Sequence, residues 1–220
     1  MAGPAFTCPA ECAKCCNTLV KHREPEEEEF LQEFDAINRE QGLYTTDVLA
    51  SRGIVLTPEE ARRLRAASKR KGARARILPH TFLLDGRTRT AVMVSYRLDH
   101  AQCPFLEGYR CGVYEDRPLP CRAFPVMVGA PRWGLSPICP EVPAAEAARE
   151  QGTPFGTQFR VEAAARRAQG RAEMAVEERL QSLLAEEGHD WQRDVPKKKA
   201  LALLKAWTQV DLDQFVTPRA

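Results

Sequence analysis

Eight cysteines carry the chemistry open to this chain. Four stand in the run Cys8-Pro-Ala-Glu-Cys12-Ala-Lys-Cys15-Cys16, and the others are Cys103, Cys111, Cys121 and Cys139. Residues 17–102 hold none. Cysteine used as a small buried hydrophobe would scatter, whereas a thiolate cage needs about four soft ligands converging on a point. Two groups of four suit one or two such centres, so all eight are candidate metal ligands. Thiolates select zinc, copper(I) or iron–sulfur clusters rather than magnesium or calcium. Adjacent Cys15 and Cys16 are expected to point differently and so to serve neighbouring centres. His22 and His100 are close enough in sequence to replace a thiolate.

The rest of the composition supports ligation over disulfide bonding. A chain of 220 residues buries roughly 70% of its unfolded surface and does not need cross-links to stay folded. Met1 to Thr7 has neither the charge nor the apolar run of a secretory signal, and no stretch is long and apolar enough to span a membrane. The expected location is the cytoplasm, where grouped thiols stay reduced. The net charge is +2, unevenly spread. Glu24 to Glu40 is acidic, and residues 62–76 carry eight cations and no acid. Such runs are ordinarily solvated helix faces. The basic helix 62–76 or the C-terminal helices are the expected surfaces for a protein partner. Nucleic acid is disfavoured, because no aromatic residue interleaves the basic run.

The elements that must position the cysteines follow from periodicity. Pro25 opens a helix bearing Phe30, Leu31, Phe34 and Ile37 at helical spacing, ended by Gly42. A short helix is expected over Asp47 to Ser51. Leu56-Thr57-Pro58-Glu59-Glu60 reads as a capped helix start, with Glu60 three residues after the cap. Thr81–Leu84 and Thr90–Tyr96, joined by Asp85-Gly86, predict a β-hairpin. Prolines crowd residues 103–143 and disfavour regular structure there, so metal ligation is expected to hold that segment. Met174, Leu180, Leu183 and Leu184 predict one C-terminal helix; Leu201, Leu204 and Val210 predict another. The expected fold is α+β, mainly helical, with a small β-hairpin and an irregular cysteine-rich metal-binding region. Residues 1–143 form the expected cysteine-cluster domain and 144–220 a C-terminal helical extension. The two cysteine groups are expected to meet in space.

Cys103-Pro104-Phe105-Leu106, Cys111 to Pro118, Cys121-Arg122-Ala123-Phe124-Pro125 and the late Cys139 together resemble the YkgJ-type cysteine-cluster family. Cys12-x2-Cys15-Cys16 fits the opening of that family, and Leu56-Thr57-Pro58-Glu59 resembles a segment between its halves. The resemblance covers roughly residues 8 to 140. It implies a zinc- or iron-chelating domain, also labelled an iron–sulfur protein. It further implies that Arg117 and Arg122 are cofactor-binding residues beside the ligands. Lys14 and Arg110 also flank ligands, and Phe105, Leu106, Tyr114 and Phe124 are expected to wall the site from water. Cys8-x3-Cys12-x2-Cys15 also matches the spacing of the radical S-adenosylmethionine loop, but Lys14 stands where that family has an aromatic residue.

The leading expectation is a cytoplasmic protein holding an iron–sulfur cluster, or zinc, through eight cysteines in a redox or structural role. One alternative is an S-adenosylmethionine-dependent protein-modifying enzyme, since flagellin lysine N-methylases contain a similar region. Another is a zinc-stabilised adaptor. No residue pattern names a catalytic group, a substrate or a reaction.

Overall fold

The computed structural model describes residues 11–16, 25–46, 54–99, 102–129, 132–136, 138–142 and 159–215. Cys8, His22, His100 and the short helix expected at Asp47–Ser51 lie outside them. The centre of the fold is the predicted hairpin, longer than expected. Its strands are β3 (Ile77–Asp85) and β4 (Thr90–Leu98). β1 (Tyr44–Thr45) pairs with β3, and β2 (Ile54–Leu56) pairs with the far end of β4, both antiparallel. Thr208–Asp211 forms a fifth strand, parallel to Thr90–Met93 of β4. The small hairpin thus becomes a five-stranded sheet.

Alternation along these strands explains how one sheet serves two cores. Phe82, Leu84, Ala91 and Met93 face one side, against Ala61, Leu64 and Ala67 of α2 (Pro58–Lys71). Leu83, Val92 and Val94 face the other, against Leu180 and Leu183 of a long C-terminal helix. Register shifts between Pro79 and Phe82 change the parity, so Tyr96 and Leu98 return to the α2 side.

Helix ends follow the sequence signals. α1 (Pro25–Glu40) stops at Gly42, whose φ of 85° only glycine adopts readily. The Gly42 and Leu43 N–H groups donate back to Arg39 and Asn38. The apolar stripe of α1 nevertheless points outward at Phe34 and Ile37, each about half exposed. α2 carries the full capping box between Thr57 and Glu60 and ends at left-handed Gly72.

Residues 103–142 are more regular than their prolines suggested. They hold two hairpins, β5 (Leu106–Glu107) with β6 (Arg110–Cys111) and β7 (Val126–Gly129) with β8 (Arg132–Leu135). The short helix α3 (Leu119–Ala123) lies between them. The described prolines sit largely at the joints: Pro104 before β5, Pro118 as the cap of α3, Pro125 ahead of β7. There a missing N–H is harmless.

The C-terminal third adds α4 (Arg160–Ala185), α5 (Lys197–Ala206) and β9 (Thr208–Asp211). It is not helical throughout, because Val210 lies in β9, and Met174 faces solvent rather than a core. Val195, Ala200 and Leu204 join the α2-side cluster, while Leu180, Leu183, Leu212 and Phe215 join the other. Both clusters therefore draw on this third of the chain.

The hairpin turn is pinned by Asp85, which is fully buried. Its carboxylate accepts from the N–H groups of Arg87 (3.1 Å) and Asp190 (3.0 Å), and from Thr88 Oγ1 (2.8 Å). His189 Nδ1 lies 3.3 Å away, with the ring stacked on Trp191. Burial alone would raise this carboxyl; the hydrogen bonds outweigh it and hold Asp85 below its ordinary value of 3.8. A depressed carboxyl contributes stability that is complete above its unfolded value and is lost as pH falls through the folded one. Asp85→Asn is therefore expected to cost about 2–3 kcal/mol at neutral pH. It should also flatten the loss of stability below the ordinary carboxyl range. Thermal melts across pH test this; an unchanged acid limb would refute it.

Candidate metal centre

Local backbone geometry gathers the first cysteine group. Ala13 takes φ 46°, a left-handed value uncommon for a residue with a side chain, and Lys14–Cys16 close a 3-10 turn through Cys16 N–H to Ala13 O (3.0 Å). The result reverses the expectation for the adjacent pair. Cys15 and Cys16 sulfurs lie 4.0 Å apart on one side of the turn. Two thiolates on a tetrahedral zinc at 2.3 Å would stand about 3.8 Å apart, so this pair fits one centre in spacing.

The second group is mounted on the core. Cys103 and Cys111 pack against the α2-side cluster through Phe105 and Val113, both buried. Gly112 N–H closes the β5–β6 hairpin onto Phe105 O (2.8 Å), which places Cys111 opposite Leu106. Cys121 sits in α3, and the β7–β8 hairpin returns the chain to buried Cys139, whose N–H donates to Ser136 O (3.1 Å).

The two groups meet, as expected. Cys103 N–H donates to Cys16 O at 2.8 Å, which brings the two thiols close enough to shift each other's titration. Cys16 is pushed well above the ordinary thiol range by the Cys103 and Cys15 thiols beside it, and by burial. Cys15 is held down to about 7, first by Cys16, against burial, with help from its own N–H and Arg117. Cys103 is likewise held to about 7 by Cys16, against burial, with help from Phe105 N–H. Burial raises Cys111 and Cys121, and the charges of Cys103 and Cys15 add to it. Burial also raises Cys139, which feels the charges of Cys12 and Cys15. All seven described cysteines, none in a disulfide, thus share one electrostatic neighbourhood.

As placed, the thiols meet in pairs. Among the described residues no three His, Cys, Asp or Glu side chains already stand at metal-holding distance. In donor type the set fits a thiophilic metal: sulfur dominates, and Glu141, beside Cys139, is the carboxylate that these thiols feel.

The flanking residues divide. Arg117 stacks over Tyr114, 3.6 Å from the ring centroid, and its Nε donates to Tyr114 O at 3.2 Å. From there its charge reaches Cys15, Cys111 and Cys121. Arg122 lines a cleft against α4 instead. Arg110 is exposed on β6, and Tyr114 is 57% exposed, so it carries Arg117 rather than walling the thiols.

Glu60 was missed as a site residue. It is 6% exposed, and its Oε2 completes the α2 cap by accepting from Thr57 N–H at 3.1 Å. Its Oε1 accepts from Leu119 N–H, the first residue of α3, at 2.7 Å. One carboxylate therefore caps two helices, one of which carries Cys121. The capping box was the readable signal; the second helix was not. Thr57→Ala removes only a cap and should cost about 1 kcal/mol. Glu60→Ala also leaves Leu119 N–H unpaired and should cost about 2–3 kcal/mol. Equal melting-point losses in the two variants would show that the bond to α3 contributes nothing.

The model of the CxxCxxCC family, described as "Putative zinc- or iron-chelating domain", matches residues 7–140, more than half of the chain. The chain belongs to this YkgJ-type cysteine-cluster family. No curated protein and no solved structure matches it. Among the described residues no helix is long and apolar enough to cross a membrane.

Proposed function

We propose that this protein binds an iron–sulfur centre through the merged cysteine groups, Cys12, Cys15 and Cys16 with Cys103, Cys111, Cys121 and Cys139, joined by Cys8. The observation that carries the reading is the docking of Cys16 on Cys103 across residues 17–102. Seven described thiols exceed the four that one tetrahedral zinc uses, which favours a larger or second centre. The rim is open: Cys15 is exposed and Cys12, Cys16, Cys103, Cys111 and Cys121 are half-buried. Thiols this accessible leave the centre within reach of a redox partner or a metal acceptor. When bound, such a centre supplies one-electron transfer or a metal held for delivery.

The chain's own residues prepare the charge balance. Arg117, anchored on Tyr114, offsets thiolate charge at Cys15, Cys111 and Cys121. The N–H of Phe105 donates to the Cys103 sulfur. Phe105 and Val113 shield the core side from water.

Protein purified without oxygen should contain iron and acid-labile sulfide in matching amounts. Cys16→Ser and Cys103→Ser should each lose most of both while the sheet still folds, as read by circular dichroism. Arg117→Gln should keep the ligands but weaken retention against a chelator roughly ten-fold. Zinc alone, without sulfide, would sink the iron–sulfur reading and leave a structural chelate. Protein free of any metal would sink both.

A further inference from the structure

Among the described residues many arginines are satisfied internally. Arg62 pairs with Asp211 and Asp213, Arg70 with Asp116, Arg76 with Asp99, and Arg179 with Glu186. Arg122 and Arg160, like Arg63, Arg74, Arg110, Arg166 and Arg171, have no side-chain hydrogen bond or ion pair among the described residues; what sets these two apart is a shared place in the fold. Both line one cleft of about 490 Å³ between α3 and α4, whose other walls are Leu119, Val161, Ala164, Ala165 and Ala168. No carboxylate among the described residues lines it.

We infer that this cleft is a binding site for a small organic oxyanion, its phosphate or carboxylate held between Arg122 and Arg160. Two exposed guanidinium groups lining one open, apolar-walled cleft raise the local potential, and no acid among the described lining residues offsets it. A bound anion removes that penalty. The planar fork of arginine matches carboxylate and phosphate oxygens two at a time, which lysine does not. The small alanine side chains of α4 keep the cleft open, and with Leu119 and Val161 they offer contact to a carbon skeleton. The volume lies within the range of small-molecule sites. The inference stands apart from the metal reading, since it uses no thiol. It does place the anion beside α3, one residue along from Cys121.

Isothermal titration of the full chain as purified, with inorganic phosphate and with succinate as probes, tests it. At least one probe should bind saturably at one site per chain. Arg122→Gln and Arg160→Gln should each weaken it roughly ten-fold or more, the loss of a charge-assisted bond. Arg160 lies on α4, clear of the cysteines, so Arg160→Gln should keep wild-type metal content and melting behaviour, which separates anion loss from unfolding. Phosphate binding alone identifies a phosphorylated ligand, and succinate binding alone a carboxylate. No saturable binding of either, or equal affinity in both variants, overturns the inference. Metal-free protein that still binds the anion would defeat the proposed function but not this site.

Discussion

The structure hangs on the Glu60 carboxylate. α2 lies against the sheet through Ala61, Leu64 and Ala67, so its first turn is fixed by the core. Glu60 leaves that turn and grips the N-terminus of α3 at Leu119. A helix of five residues cannot hold itself in water, since nucleation costs more than so few bonds return. α3 exists because Glu60 satisfies one end and α4 packs on its side. Cys121, Arg122 and Pro120 take their places from it, so the thiol neighbourhood and the cleft share one anchor.

The parts legible in the sequence were those set by nearest neighbours. The capping box at Thr57–Glu60, the glycine stop at Gly42 and the hairpin around Asp85 depend on residues a few positions apart. The rest depends on distance. β9 is a short strand with two exposed residues, and only its pairing with β4 makes it a strand. Phe34 and Ile37 have the spacing of a buried face, yet periodicity does not reveal whether a second surface arrives to cover them. Cys15 and Cys16 were expected to point differently. The turn begun by left-handed Ala13 instead brings their sulfurs to 4.0 Å.

The basic run shows the same lesson for charge. As sequence, residues 62–76 form a continuous positive face. In the fold Arg62 is spent on Asp211 and Asp213, Arg65 lies over the Tyr96 ring, and Arg70 and Lys71 reach Asp116 and Glu107. Three of those acids belong to β9 and its following turn or to the turn after Cys111. The exposed pairs among these, such as Arg70 with Asp116 and Lys71 with Glu107, are each worth under about 1 kcal/mol. Their effect is to orient the C-terminal strand and the cysteine segment against α2.

The two cysteine groups stand on unequal footing. Cys103 and Cys111 are seated against a buried cluster, so their positions follow from core packing. Between the two groups of described cysteines, the backbone bond from Cys103 N–H to Cys16 O is the link the structure fixes. Closing the chain over residues 17–102 carries an entropy cost that grows only slowly with length, yet one neutral hydrogen bond contributes about 1 kcal/mol net. Coordination is therefore the natural fastener of the N-terminal segment, because metal–thiolate binding energy acts directly as folding energy. Core packing prepares half of the centre, and ligation would close the other half onto it. That division fits the placement of exposed Cys15 in the first group and buried Cys139 in the second.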